Sequence, residues 1–417
     1  MSTKHSKAAA EFLKNKKQAA WHDETLWLVR AKRDRLSKEV PEWEELRNMA
    51  CATKLYSNSH LDELLVEFEN NARANGAHVY WAKDADEYCN IVYNILNQHG
   101  VKHFIKSKSM LAEECELNPF LESKGIEVVE SDLGERILQL MHLKPSHIVL
   151  PAIHIKREQV GELFEREMGT EKGNFDPTYL THAARKNLRQ KFIHAEAAMT
   201  GANFAVASTG EIVVCTNEGN ADMGTSQPKL QIAAFGMEKI VPDRESLGVF
   251  TRLLARSATG QPITTYTSHY RKPREGGELH IIIVDNGRSK ILADPKHIKT
   301  LNCIRCGACM NTCPVYRRSG GYSYTYFIPG PIGINLGMLK APLHYYDNVS
   351  ACSLCYSCSF VCPAKVDLAE QIYLWRQDLD KLGNVRWHGI HDEPPFDIQY
   401  GIKMGAIGKW SAAFPYL

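Results

Sequence analysis

Apolar residues recur at helical spacing through the first fifty positions, where KAAAEFLKNKKQAAWHDETLWLVRAKRDRLSKE is rich in good helix formers and Pro41 stands where another helix can begin. The pattern changes from residue 57. Short apolar runs (HVYWA at 78–82, HFIKSK at 103–108, IEVVES at 126–131, HIVLPA at 147–152) alternate with amphipathic stretches such as DEYCNIVYNILNQHG and LGERILQLMHL. Strands separated by helices of this length predict crossover units and a mainly parallel sheet covered on both faces. A helix over about 177–199 should follow, and then strands and turns in NFAVASTGEIVVCTNEGN, KIVPD and HIIIVD. The fold class is α/β, with boundaries expected at 1–56 for a helical arm, 57–295 for the α/β domain, 296–380 for a cysteine-bearing domain that includes the helical AEQIYLWRQDLDKLG, and 381–417 for an apolar tail that packs on a neighbour.

Composition narrows the partners. With 417 residues, 44% of them hydrophobic, the chain can bury a large core. Fifty Lys plus Arg against 48 Asp plus Glu leaves a net charge of +2, so no global field favours nucleic acid or an anionic membrane. The basic excess over residues 1–35 reads as a solvated helix face or as an arm docking on a partner. No apolar run reaches the roughly 18–20 residues of a membrane span, and MSTKHSKAAAEFLKNKK lacks a signal-peptide core, so a cytoplasmic location is expected.

The cysteines carry the strongest chemical signal. Of twelve, eight fall in CIRCGACMNTCP (303–314) and CSLCYSCSFVCP (352–363), both C-x2-C-x2-C-x3-C-P. Thiolates every third residue wrap three corners of one iron–sulfur cube, and the fourth cysteine reaches the other cube. On that rule Cys303, Cys306, Cys309 and Cys362 hold one [4Fe-4S] cluster, and Cys352, Cys355, Cys358 and Cys313 hold a second. Zinc is the competing metal, but it usually pairs two C-x2-C units from separate turns. Cys51, Cys89, Cys115 and Cys215 lack such spacing and read as structural thiols. GPIGINLG does not match a dinucleotide fingerprint.

Ligands of an open parallel sheet sit beyond the carboxyl ends of its strands. Lys106, Ser107, Lys108 and Ser109 offer cations and hydroxyls there, for a carboxylate or phosphate or simply as a helix cap. ESDLGE adds Asp132, and PAIH adds His154. In STGEIVVCTNEGN, Thr209 and Gly210 form a turn that could approach a ligand, and Glu211 or Glu218 could act as a base, unless the segment is an ordinary hairpin. His194, on the preceding helix, is either a structural histidine or a catalytic one.

Taken together, KSKSM, SDLGERILQL, HAEAAMTGANFAVASTGEIVVCTNEGN and the two cysteine runs resemble the lactate utilisation protein B family, the iron–sulfur subunits of a three-component system oxidising L-lactate to pyruvate. The resemblance covers nearly the whole chain. It implies an α/β domain similar to the sugar-isomerase and CoA-transferase superfamily, followed by an α-helical dicluster ferredoxin domain, for which the 38 residues between Cys313 and Cys352 leave room. It also implies two [4Fe-4S] clusters, electron transfer without nicotinamide, and two partners: a cysteine-rich subunit and a second lactate-utilisation-domain subunit. A redox-sensing or docking module, or a subunit acting on another small hydroxy acid or an acyl-CoA, are the competing expectations.

Overall fold

The computed structural model describes residues 4–386; the apolar tail expected to pack on a neighbour lies, from residue 387 onward, outside them. Two sheets form among these residues, from strands β1 (His78–Ala82), β2 (His103–Lys106), β3 (Glu127–Glu130), β4 (Ala197–Gly201), β5 (Phe204–Val206), β6 (Glu211–Thr216), β7 (Leu230–Gly236), β8 (Ile240–Val241), β9 (Tyr266–Tyr270) and β10 (Glu278–Val284). The main sheet runs β1-β10-β7-β4-β2-β3 with every neighbouring pair parallel. The smaller sheet runs β8-β5-β6-β9 and is mixed.

Burial on both faces explains the composition of the main sheet's centre. Every residue of β7 is buried, as are the last six of β10, so apart from Gln231 and His280 these strands read as apolar runs without alternation. The chain leaves β2 for β3 at one edge and then returns to place β4 on the other side of β2. That reversal is a topological switch point, and it opens a crevice beyond the carboxyl ends of β2 and β4.

Several expectations need correction. The helix expected to reach residue 199 is Pro177–His194, capped by the Asp176 side chain, because AAMTG at 197–201 is the buried strand β4. HIVLPA forms turns instead of a strand. Its apolar Ile148 is buried in the core of the cysteine-bearing domain, and the buried His147 imidazole accepts from the backbone of Val149 and Leu150 while its Nε2 pairs with Asn311 Oδ1 at 2.9 Å. This segment is therefore a bridge between the two domains.

The basic N-terminal helices Lys4–Lys14 and Lys16–Lys38 bury one face against the rest of the chain and leave the other exposed. Leu26 is buried in the core of the cysteine-bearing domain, His22 Nδ1 meets the Arg317 carbonyl at 2.9 Å, and Arg33 donates to the Val361 carbonyl at 3.0 Å. The helix Trp43–Ser59 places Leu46 and Ala50 in a core shared with the smaller sheet, the helix Arg244–Thr259, and Ile304, Cys306 and Ala308. The first cysteine run is thus built into the α/β domain.

Thr209 and Gly210 occupy the β5–β6 turn, packed under the helix Leu61–Ala74. Gly210 has φ +66°, and a Cβ there would lie 2.2 Å from the Ala72 nitrogen. Substituting Gly210→Ala should cost about 1–3 kcal/mol of stability, from the left-handed backbone and the clash. Urea unfolding followed by circular dichroism checks this; unchanged stability would show that the turn relaxes.

Candidate iron–sulfur centre and adjoining cavity

The two cysteine runs adopt one local structure twice, 49 residues apart. Arg305 and Leu354 both take positive φ (60° and 51°), as do Gly307 and Tyr356 (76° and 60°). Short helices follow at Ala308–Thr312 and Ser357–Val361, and each ends on a cysteine in extended conformation, Cys313 and Cys362. In the left-handed turns backbone N–H groups face sulfur: Arg305 N lies 3.4 Å from Cys303 Sγ, and Leu354 N lies 3.3 Å from Cys352 Sγ. Tyr316 N and Val366 N approach Cys313 Sγ and Cys362 Sγ at 3.5 and 3.4 Å. These donors suit thiolates, which they stabilise without demanding a side chain.

The thiols fall into two neighbourhoods. Cys309 feels the charges of Cys303, Cys306, Cys358 and Cys362, and Cys306 those of Cys362 and Cys303. Cys313 feels Cys352, and Cys358 feels Cys313, Cys352 and Cys355. Cys362 therefore lies near Cys303, Cys306 and Cys309, Cys313 lies near Cys352 and Cys358, and Cys309 and Cys358 link the two groups. Burial pushes the Cys306 thiol up to about 12 and those of Cys313 and Cys362 to about 11, and adjacent cysteines add to this. The fold alone resists ionising these thiols together, so a multivalent cationic core is what suits this donor set.

A buried set of charges surrounds the first run. Glu238, just past β7, pairs with Arg288 and lies 3.4 Å from Arg305, while Arg288 also reaches Glu114 at 2.9 Å. Lys54 donates to the Glu238 carbonyl. Burial alone would raise the Glu238 carboxyl; Arg288, Arg305 and Lys239 instead hold it down to about 2. Lys54 and Lys239 are each lowered to about 8 by burial and still feel both Glu238 and Cys303. Lys54, Lys239, Arg288 and Arg305 outnumber Glu114 and Glu238 by two positive charges. With Arg33 near Cys306 and Arg47 near Cys362, the surroundings of these cysteines are net positive, which suits the negative charge of a cube held by four thiolates. None of these charged residues stood out in the sequence, because they come from segments far apart along the chain.

Against this centre lies a cavity of about 340 Å³ at the switch point of the main sheet. Ser107, Lys108 and Ser109 line it from the end of β2, Gly201 and Asn203 from the end of β4, Gly236, Glu238 and Lys239 from the end of β7, and Asp132 and Glu218 from flanking loops. Arg305 and Cys306 of the first cysteine run form the opposing wall. Two strand-end glycines make room: a Cβ on Gly201 would meet Ser109 Oγ at 2.8 Å, and one on Gly236 would meet Glu238 Oε2 at 2.2 Å.

Its electrostatics favour a small anion. Lys108 Nζ and Arg305 Nη1 are buried without a hydrogen-bond partner among the described residues, which leaves donors unspent. Lys108 lies 3.6 Å from Glu135, whose carboxyl burial pushes up to about 8 against the opposing pull of Lys108 and Lys106. Glu218 accepts from the Leu133 N–H at 3.2 Å; desolvation by the cavity wall and then the charge of Asp132 raise it to about 7, although water still reaches the side chain.

Other residues expected at the site sit elsewhere. Lys106 is fully buried, pairs with Glu130 at 2.7 Å, and points away from the cavity. Glu211 is held by Arg244 at 2.9 and 2.6 Å and by His269 at 3.1 Å. His154 bonds Ser146 and the Tyr322 hydroxyl, and burial lowers it to about 4. His194 contacts the Gln190 carbonyl at 2.7 Å near the end of its helix, and Thr209 and Gly210 lie in the turn described above. These groups support the fold and do not line the cavity.

Comparison with known proteins identifies two family matches along the chain. Residues 65–291 match the LUD domain and residues 299–366 the 4Fe-4S dicluster domain. Lactate utilization protein B of Geobacillus thermodenitrificans (strain NG80-2) is 44% identical over 348 residues, covering 82% of this chain and 73% of its own. The protein of that name from Bacillus pumilus (strain SAFR-032) is 44% identical over 387 residues, covering 89% and 81%. The electron transport protein YkgF of Escherichia coli (strain K12) is 41% identical over 362 residues, covering 85% and 76%. With its LUD domain joined to a 4Fe-4S dicluster domain and this identity over most of both chains, the chain belongs to the lactate utilisation protein B family.

Proposed function

We propose that this chain is the iron–sulfur electron-transfer subunit of a complex that oxidises L-lactate to pyruvate. The observation that carries the proposal is the shared wall: Arg305 and Cys306 of the first cysteine run line the same cavity as Ser107, Lys108 and Ser109 at the strand ends. Its volume lies at the small end of ligand sites. Lys108 and Arg305 are the cations for a carboxylate, and the Ser107 and Ser109 hydroxyls can orient the C2 hydroxyl.

Oxidation at C2 breaks the O–H and C–H bonds, forms C=O, and releases two protons and two electrons. Glu218, poised near neutrality, is the base for the hydroxyl proton, and Asp132 beside it tunes that poise. Cys303, Cys306, Cys309 and Cys362 would hold one cluster, and Cys352, Cys355, Cys358 and Cys313 the other. Bound [4Fe-4S] clusters accept and release electrons singly, so two of them give the electron pair separate places. Cys355 is exposed, and nearby Phe360 is 80% exposed, which suits electron exit to a partner at the second run. The partners we infer are a cysteine-rich subunit and a second lactate-utilisation-domain subunit. No helix among the described residues is long and apolar enough to cross a membrane.

Replacing Cys303→Ser and Cys355→Ser in the reconstituted complex should abolish lactate-dependent reduction of an artificial acceptor; undiminished reduction after loss of iron would rule the route out. Cys313→Ser should perturb the paramagnetic signal of the cluster bound by the second run and spare the first, whereas the opposite pattern would mean that each run holds its own cube. For Glu218→Gln, kcat/KM should fall about 10²–10⁴-fold. In the parent protein, kcat/KM should drop as pH falls through about 7, because the base must be deprotonated. A variant that keeps this acid limb would remove Glu218 from the reaction.

A further inference from the structure

At the end of the main sheet opposite the cavity, two imidazoles and a carboxylate converge, and a third imidazole meets the carboxylate's other oxygen. His78 on β1 stands beside His280 on β10 in parallel register, and their rings stack with centroids 4.8 Å apart. Glu278 lies two residues before His280 and so shares its face of the sheet. Donor atoms of His78, Glu278 and His280 lie within 4.8 Å of one another. His99, at the C-terminus of the helix Ala85–Gln98, brings Nε2 to 3.2 Å from Glu278 Oε1, while His280 Nε2 lies 3.0 Å from Glu278 Oε2.

The proton inventory of this cluster points to a missing positive charge. His99 Nδ1 lies 2.8 Å from the Ile95 carbonyl, which can only accept, so Nδ1 carries the hydrogen. In the neutral ring Nε2 is then a lone pair, and it faces a carboxylate oxygen that also only accepts. A cation must sit between them, either a proton on His99 or a metal ion. His280 is held through its other nitrogen as well, because Tyr80 Oη lies 3.1 Å from its Nδ1; the hydroxyl can donate or accept there, so this ring meets Glu278 as a neutral donor or turns a lone pair to an ion. An imidazole anchored through one nitrogen, with the other turned to a shared point, is the outer-shell pattern of metal-binding histidines.

We infer that His78, His280 and Glu278 form a binding site for a divalent cation of the zinc class, with His99 holding the second oxygen of Glu278 in place. Two imidazole nitrogens and one carboxylate oxygen supply three of the four ligands such an ion takes, leaving the fourth position to water. Two adjacent strands hold these three ligands on one face, so little ordering is needed on binding. The ion would tie the edge strand β1 to β10 and, through Glu278 and His99, to the helix Ala85–Gln98. With β10 between them, site and cavity are separated by roughly 20 Å, so the ion's part is structural.

The test uses the full-length, cluster-loaded protein under anaerobic conditions, so that the cysteines are occupied. Titration with Zn²⁺ by calorimetry should show one equivalent bound with proton release, and thermal unfolding should shift upward. His78→Ala and His99→Ala remove exposed side chains, and each should weaken uptake at least about tenfold while the cluster absorbance and the zinc-free unfolding temperature stay unchanged. Tyr80→Phe should weaken it by about 10–100-fold. No uptake near neutral pH, with His99 simply protonated, would overturn the inference, as would uptake unaltered in the His78→Ala, His99→Ala double variant.

Discussion

Compensation of buried charge around the first cysteine run is the constraint on which the rest of the structure depends. Four thiolates around an iron core cannot be buried without positive charge nearby, and here that charge comes from Lys54 on an N-terminal helix, Lys239 after β7, Arg288 after β10 and Arg305 in the run itself. Glu238 holds these cations together. Removing one partner would leave a buried charge uncompensated, which is costlier than the pair is favourable. Lys239, Arg288, Arg305 and Glu238 also line the cavity, so the electrostatics that accommodate a cluster also favour an anionic ligand beside it.

This shared wall requires the α/β domain and the cysteine runs to approach closely, and the two runs differ where that requirement differs. Both need a left-handed residue four positions after their first cysteine. The first run uses Gly307, where a Cβ would lie 3.0 Å from His147 of the bridging turn. The second uses Tyr356, which is exposed. The N-terminal helices close the other side, with Arg33 donating to Val361 and Arg47 donating to the carbonyls of Phe360 and Cys362.

Sequence reasoning reached the cysteine runs because their chemistry is local: three ligands and a proline within a dozen residues leave few alternatives. The β-branched outer strands were legible for the same reason. The strands β4 and β7 were not singled out, because AAMTG and LQIAAFG are small or apolar apart from Gln231 and, covered on both faces, show no alternation. HIVLPA has the composition of a strand, yet it buries its apolar side chains across a domain boundary. Within KSKS the sequence could not separate Lys106, which turns inward to Glu130, from Lys108, which faces the cavity. Glu218 and Glu211 looked equivalent until the fold gave Glu211 an arginine and a histidine and left Glu218 in the cavity wall. Arg288, Arg305 and Glu238 become neighbours only through long-range folding.

The central claim is that the cavity and the first cysteine run form one functional unit. Rapid-freeze electron paramagnetic resonance of the anaerobic protein, reconstituted with the partner subunits proposed above and mixed with L-lactate and no acceptor, tests it. The account predicts that a reduced [4Fe-4S] signal from this chain appears at the rate of pyruvate formation and is lost in a Lys108→Met variant whose clusters remain reducible by dithionite. Pyruvate formed at an undiminished rate while the clusters of this chain stay oxidised would contradict it.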